Sequence, residues 1–322
     1  MEIKRSGFFD AGFFRDLAIA SLIFFFVSLT PVLGAIFIIF IPLPILYYYL
    51  KGSRVKGVAI LATSLSGSLV VLTTINAYAN VLLIIMLAAA GIMISECRKR
   101  NLSLEKTISY SVAAIFCLGA MFVLHQSYYF RTAPWQLVET YIQKQILYSI
   151  KVYAGLNIAT EQINMIKENI TEVVSSITLI LPSLFLVTVT FIVWVNLLAG
   201  RVLFRKLELS GMDFGDLSSW KAPDKMVWYL IAAGAMVLLS DERTAFIGWN
   251  MLLVILSVYL LAGLAIVSFF LRKSPLPTSF RYLFYFLIFA QQIATLLVVA
   301  AGLIDLWADF RKLNKPMQDS VV

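Results

Sequence analysis

Long apolar runs dominate the chain, and short clusters of charged residues separate them. Two of these runs, residues 17–50 and 57–95, contain no charged residue. Each is too long for one membrane-spanning helix, which needs about 20 residues, and each has a break near its middle. The first break is Thr30-Pro31 and the second is the polar stretch Asn76–Asn80. The pattern therefore predicts two helical hairpins.

Single apolar spans follow the two predicted hairpins. They lie at about 107–124, 173–199, 246–271 and 282–304. A further uncharged stretch, residues 226–240, has only 15 residues, which is at the low edge for a membrane crossing. The pattern predicts an all-α fold, namely a polytopic transmembrane helical bundle with eight or nine spans.

The spans group into three parts along the chain. We predict a six-span N-terminal membrane bundle over residues 1–200, a cytoplasmic loop over residues 201–225, and C-terminal membrane helices with a short tail over residues 226–322. The bundle includes one long segment outside the membrane, residues 125–172. Within that segment helical spacing and a candidate N-cap, Thr160, predict an amphipathic helix that continues into the sixth span. Its predicted apolar face comprises Ile163, Ile166, Ile170, Val173 and Ile177.

Composition places the chain in the membrane class. It is 61% hydrophobic and 14% charged, with a mean hydropathy of +0.88, whereas soluble domains carry about 25% charged residues. The net charge is +8. Basic residues of multi-pass proteins collect in cytoplasmic loops and meet anionic lipid. We therefore predict contact with the lipid bilayer and no binding of nucleic acid.

The basic residues also orient the spans. With a cytoplasmic N-terminus and nine crossings, the cytoplasmic segments hold 18 of the 26 Lys and Arg residues. If residues 226–240 enter the membrane and return, the cytoplasmic side holds 19 of the 26. The positive-inside rule does not separate the two arrangements. We predict a multi-pass protein of the bacterial inner (cytoplasmic) membrane, with the side of the tail left open.

The chain lacks the common catalytic signatures. It contains no P-loop, no H-E-x-x-H motif and no G-x-S-x-G motif. Its two cysteines, Cys97 and Cys117, form no C-x-x-C pair. No span carries an acid or a base at its centre, which argues against a proton pump with carboxylate ligands. We expect no enzyme activity, no cofactor and no metal.

Polar residues in or beside the apolar runs are the candidate ligand-binding set, because burying them in hydrocarbon is costly. For each of them a hydrogen bond between helices is the competing interpretation. For the single histidine, the competing interpretation is a polar group at the membrane interface. The set comprises Asn76, Asn80, His125, Gln126 and Asn196.

The stretch GLIDLWADFRK, residues 302–312, ends the last apolar run. On a continuous helix Asp305 and Asp309 share a face. Asp305 follows AAGLI directly, so its carboxylate lies close to hydrocarbon, and we predict that it pairs with a base from another loop and pins the C-terminal helix.

The alternative is an interfacial stop, with Trp307 among the lipid headgroups and Asp309 paired with Lys312. Upstream, the motif SSWKAPDK suggests an interfacial tryptophan and a proline near the next helix start. The predicted structural interface comprises Trp220, Pro223, Asp305, Trp307, Asp309 and Arg311.

Several motifs occur in an order that resembles the YybS-like predicted membrane proteins, a bacterial group with a domain of unknown function. They are PVLGAIFIIFIPLPILYYYLKG near the start, RVLFRKLELSG after the sixth span, Trp220 with Pro223, AGLAIVSFFLRK and GLIDLWADFRK. The resemblance covers most of the chain. It implies a membrane protein and no assigned activity.

The first 200 residues resemble, more distantly, the substrate-binding subunits of energy-coupling-factor vitamin transporters. Six spans, P-x-L-G and P-L-P carry this resemblance. It implies a small-solute site near the outer face and an ATPase-coupled partner complex. The helices after residue 226 and the irregular spacing of Ala18 and Ala20 in the first helix depart from that design.

Three functions are compatible with these features. The first is a subunit of a small-molecule transporter, with solute bound near the outer face. The second is a membrane scaffold or assembly factor that binds another membrane protein and no ligand, through the loop of residues 201–225 or the outside helix of residues 135–170. The third, an intramembrane enzyme, is the least favoured, because the sequence shows no cluster of acids or His–acid pair at one depth.

Overall fold

Every regular element in the described part of the chain is a helix, which confirms the all-α prediction. The computed structural model describes residues 10–29, 37–51, 54–74, 78–155, 160–239 and 241–313. The predicted hairpin breaks at Thr30-Pro31 and at Asn76 lie outside these residues. Within these residues, five helices are long and apolar enough to cross a membrane, or six if one bent pair counts as a single span.

The chain forms two compact units. Unit 1 comprises Met1–Pro134 and Thr188–Phe214, and unit 2 comprises Trp135–Val187 and Gly215–Val322. The helices that begin in unit 1 are α1 (Ala11–Leu29), α2 (Pro42–Lys51), α3 (Arg54–Thr74), α4 (Tyr78–Lys99) and α5 (Leu104–Phe130). A short 3₁₀ turn, Ile38–Phe40, precedes α2.

The remaining helices lie wholly or partly in unit 2. They are α6 (Pro134–Gly155), α7 (Thr160–Glu168), α8 (Ile170–Lys206), α9 (Met226–Leu238), α10 (Glu242–Lys273), α11 (Thr278–Ala290) and α12 (Gln292–Ala308). The 37-residue helix α8 starts in unit 2 and ends in unit 1. Another 3₁₀ turn, Leu217–Ser219, lies in the loop between α8 and α9.

Small residues let the helices of each unit approach closely. In unit 1, a Cβ atom on Gly57 of α3 would lie 2.5 Å from the carbonyl oxygen of Tyr48 in α2. In unit 2, a Cβ atom on Gly263 or Gly302 would overlap the backbone of the facing helix, because α10 and α12 cross there. Helices in membranes pack in this way because dispersion contacts between close backbones favour association.

The predicted amphipathic helix is present as α7, which begins at Thr160 and buries Ile163. A single turn at Asn169 separates it from α8, since the amide of Asn169 donates to Met165 and its carbonyl accepts from Val173. Upstream, α6 exposes a set of large aromatic side chains, as expected of a helix at the membrane surface. These are Trp135, Tyr141, Tyr148 and Tyr153.

The span expected at 282–304 is not one straight helix. It is the pair α11 and α12, which meet at an angle of 101°. Gln291 has an extended backbone; its amide donates to the Leu287 carbonyl and closes α11, and its carbonyl accepts from the Thr295 amide and opens α12. The amino-acid composition does not reveal this bend, because the residues of α11 and of α12 are both mainly apolar.

Candidate functional site

A buried ion pair lies at the end of α12 in unit 2. The guanidinium of Arg311 donates through Nη2 to Asp305 Oδ2 at 2.8 Å, and the two side chains are 0% and 4% exposed. Nη1 of Arg311 donates to the carbonyl oxygens of Ser218 at 2.6 Å and Trp220 at 2.9 Å. The pair therefore fastens the segment after α12 to the loop before α9.

Two more exposed or half-buried ion pairs surround this loop. Asp216 accepts from Arg272, at the end of α10, at 2.7 Å, and Lys221 donates to Asp309 at 2.7 Å. The Ser218 hydroxyl and amide also donate to Asp216. These bonds from Ser218, with the charge of Arg272, hold the pKa of the Asp216 carboxyl below its usual range.

The sequence-based prediction for Asp305 was right about burial and wrong about the partner. Asp305 pairs with a base of its own tail, and the loop contributes carbonyl groups instead. The expected shared face of Asp305 and Asp309 is also wrong, because α12 ends at Ala308 and Asp309 has a left-handed backbone with φ 39°. That reversal is what brings Arg311 back to Asp305.

The other predicted interface residues occupy different environments. Trp307 is 67% exposed, which suits a side chain among lipid headgroups. Trp220 is half-buried and packs against the core formed by Ala222, Tyr259 and their neighbours. Pro223 is exposed, and its carbonyl accepts from the first amide of α9, that of Met226, at 2.9 Å.

Two other segments of unit 2 contact the loop of residues 216–221. Arg272 links the end of α10 to this loop, and the nine-crossing arrangement puts those two segments on the same side. Arg311 links the tail to the loop, and the eight-crossing arrangement puts those two on the same side. The bent pair α11–α12 begins and ends at this same end of unit 2. The loop, the end of α10 and the tail therefore lie together at one end of unit 2.

Of the candidate ligand-binding residues, the structure describes the side chains of His125, Gln126 and Asn196. Asn76 lies outside the described residues, as does the side chain of Asn80. His125 is exposed near the end of α5, and Gln126 beside it is half-buried. In the described part of the chain, no cluster of three or more His, Cys, Asp and Glu residues could hold a metal ion.

Asn196 is fully buried, and its side chain bonds two backbone carbonyl groups. Its Nδ2 donates to the carbonyl oxygen of Ile39 at 2.7 Å and to that of Ile192 at 2.8 Å. Ile39 belongs to the 3₁₀ turn before α2, and Pro42, three residues further on, has no N–H to bond its carbonyl. The hydrogen bond between chain segments, which competed with ligand binding as an interpretation of Asn196, is therefore the one observed.

An apolar groove of about 550 Å³ lies in unit 1 between α1, α2 and the end of α8. Aliphatic and aromatic side chains line it. Those from α1 and α8 are Ile19, Leu22, Ile23, Phe26, Val27, Leu203 and Leu207. Those from the turn and α2 include Phe37, Phe40, Ile41, Pro44, Tyr47 and Tyr48. We call this space the groove.

Sequence reasoning missed the groove. Helix α1 is apolar on all faces, so no periodicity marks the face that lines the groove. The one local signal is at the end of α8, where Leu203 and Leu207 are four residues apart and flank two bases, Arg205 and Lys206. An apolar ridge next to unpaired charge is typical of a membrane interface.

The described helices define a multi-pass integral membrane protein. Residues 18–306 match the family described as "Predicted membrane protein (DUF2232)". The match covers most of the chain, so the chain belongs to this family, and the YybS-like resemblance is confirmed at that level. No curated protein and no solved structure matches the chain, and the resemblance to energy-coupling-factor subunits gains no support from them.

Replacing Asp305 with alanine is expected to destabilise the protein strongly. Arg311 would then remain buried without its counter-charge, which costs about 3–5 kcal/mol. The measurement is unfolding in detergent, compared with Asp224→Ala, which removes an exposed carboxylate from the same unit. Equal stability of the two variants would contradict the role assigned to the ion pair.

Cysteine labelling tests whether the loop, the end of α10 and the tail lie on one side of the membrane. In a chain without Cys97 and Cys117, a membrane-impermeant maleimide should reach Ser219→Cys, Lys273→Cys and Lys312→Cys from one side only. Glu242→Cys, at the opposite end of the 32-residue helix α10, should react from the other side. Labelling of positions 219 and 312 from opposite sides would rule out the arrangement.

Proposed function

We propose that the protein is the ligand-binding subunit of a membrane transport system and that its ligand carries a hydrocarbon chain. The single observation behind this proposal is the groove of about 550 Å³ in unit 1. Ligand sites of proteins commonly measure about 300–1,000 Å³ and have mostly apolar and aromatic walls. The groove therefore has the size and lining of a site for an apolar chain.

The groove favours a lipid chain over a polar solute for a physical reason. A polar solute would lose its hydrogen bonds to water against walls such as Leu22, Phe26 and Leu203, at a cost of several kcal/mol. An empty groove would forfeit dispersion contacts along its whole lining. A hydrocarbon chain supplies those contacts without hydrogen bonds, and the bilayer supplies such chains.

This proposal moves the ligand away from the residues first suspected. The side-chain amide of Asn196 already donates hydrogen bonds to two carbonyl groups, and His125 is exposed. The groove instead lies at the basic end of α8 and beside Lys51 at the end of α2. The solute expected near the outer face thus becomes a chain bound at the opposite, basic end of the helices.

The scaffold function has less support from the geometry. One of its two expected docking surfaces, the loop of residues 201–225, uses its own backbone for internal contacts; the other is the outside helix of residues 135–170. Arg98 donates to the carbonyls of Gly211 and Asp213 in unit 1, and Arg311 donates to those of Ser218 and Trp220 in unit 2. The partner that a transport function implies is an ATPase-coupled complex, which should co-purify from native membranes in mild detergent.

A bulky side chain in the groove is expected to displace the bound lipid. Leu22→Trp fills the groove, and Val70→Trp places the same side chain on α3 at similar exposure, 64% against 69% for Leu22, outside the groove. Losing contact with two CH₂ groups at about 0.8 kcal/mol each already weakens binding about tenfold.

Native mass spectrometry of the purified protein checks this expectation. The wild type and Val70→Trp should retain a lipid-sized adduct, and Leu22→Trp should lose it about tenfold or more. If all three proteins carry the same amount of lipid, the groove is not the binding site. Monodisperse elution of Leu22→Trp in size-exclusion chromatography establishes that the variant is folded.

A further inference from the structure

We infer that the ligand of the groove is an anionic phospholipid and that Arg205 and Lys206 bind its headgroup. This inference rests on the proposed function, because it names the class of lipid whose chain occupies the groove. It depends on the balance of positive and negative charge around the groove. Three elements contribute to that charge: the end of α8, the end of α2 and the first turns of α1.

The last turn of α8 carries two bases next in sequence to residues that line the groove. Arg205 and Lys206 follow Leu203 and precede Leu207, both of which line the groove. Both basic side chains are exposed, and in the described part of the chain neither has an ion-pair or hydrogen-bond partner. Their long aliphatic stems can lie along the apolar lining while the charged groups reach the headgroup level.

The end of α2 adds a third base on the other side of the groove. Lys51 lies one turn beyond Tyr47, and its Nζ is 5.0 Å from the centre of that ring. The same Nζ donates to Asp16 Oδ2 at 2.9 Å, and Arg15 also reaches Asp16 at 3.3 Å. Asp16 is therefore shared by two bases, which leaves a net positive charge next to Ile19.

The balance of charge around the groove favours an anion. Five bases lie within one turn of residues that line the groove, namely Arg15, Lys51, Arg201, Arg205 and Lys206, and Arg201 is paired with Asp213. In the described part of the chain two acids lie as close along the sequence: Asp16, which is already shared, and Glu208 after Leu207. Basic residues beside a bilayer attract anionic lipid. A phosphodiester also offers acceptor oxygens to a guanidinium and an ammonium. The apolar groove and the basic rim together match a chain with an anionic head.

The test compares two phospholipids that differ only in their headgroups. The full-length protein is reconstituted in nanodiscs that contain phosphatidylglycerol and phosphatidylcholine with identical acyl chains, and the lipids retained after purification are counted. The variant is Arg205→Gln with Lys206→Gln. The matched control is Lys144→Gln with Lys151→Gln, which removes two exposed bases from α6.

The wild type and the control should retain phosphatidylglycerol in preference to phosphatidylcholine. The double variant should lose about fivefold of that preference for each base removed, while its total bound lipid persists through the groove. Arg205→Lys with Lys206→Arg keeps both charges and should keep the preference. High salt should weaken the preference of the wild type, because these bases are exposed.

Two results would overturn the inference, and they differ in what they leave standing. If the double variant keeps the preference, the headgroup is bound elsewhere or not at all, and the proposed function still stands. If Leu22→Trp retains as much of either lipid as the wild type, no lipid occupies the groove, and both the inference and the proposed function fail.

Discussion

The hydrogen bond from Asn196 to the carbonyl oxygen of Ile39 is the contact on which the groove depends. Inside hydrocarbon every backbone polar group needs a partner from the protein, and Pro42 has no N–H to offer to the Ile39 carbonyl, so another group must satisfy it. Helix α8 provides that partner. Two and three turns further on, the same helix provides Leu203 and Leu207 as one wall of the groove, and the turn itself provides Phe40 as another.

The same principle operates at the loops of both units. In unit 1, the buried guanidinium of Arg98 donates to the carbonyls of Leu102, Gly211 and Asp213 and stacks 4.0 Å from the ring of Phe214. In unit 2, Arg311 does the equivalent for the loop before α9. Each arginine joins a loop to the end of an apolar helix, since its planar fork reaches several carbonyl oxygens at once.

Charge-free runs predicted the long helices well and the short-range geometry poorly. The spans expected at 107–124, 173–199 and 246–271 lie inside α5, α8 and α10. The bend at Gln291 and the change of chain direction at Asp309 were not predicted. Each depends on backbone angles that amino-acid composition does not encode. The groove escaped prediction because one of its walls is α1, a helix so evenly apolar that no single face stands out.

The most direct test of the central claim is to locate the bound chain. A phospholipid with a photoactivatable group near the end of one acyl chain is incorporated into membranes that contain the protein, and the crosslinked peptides are identified by mass spectrometry. The account predicts crosslinks concentrated on α1 between Ile19 and Phe26 and on the Phe37–Tyr48 segment. Crosslinks spread equally over other exposed apolar helices, such as α11, would contradict it.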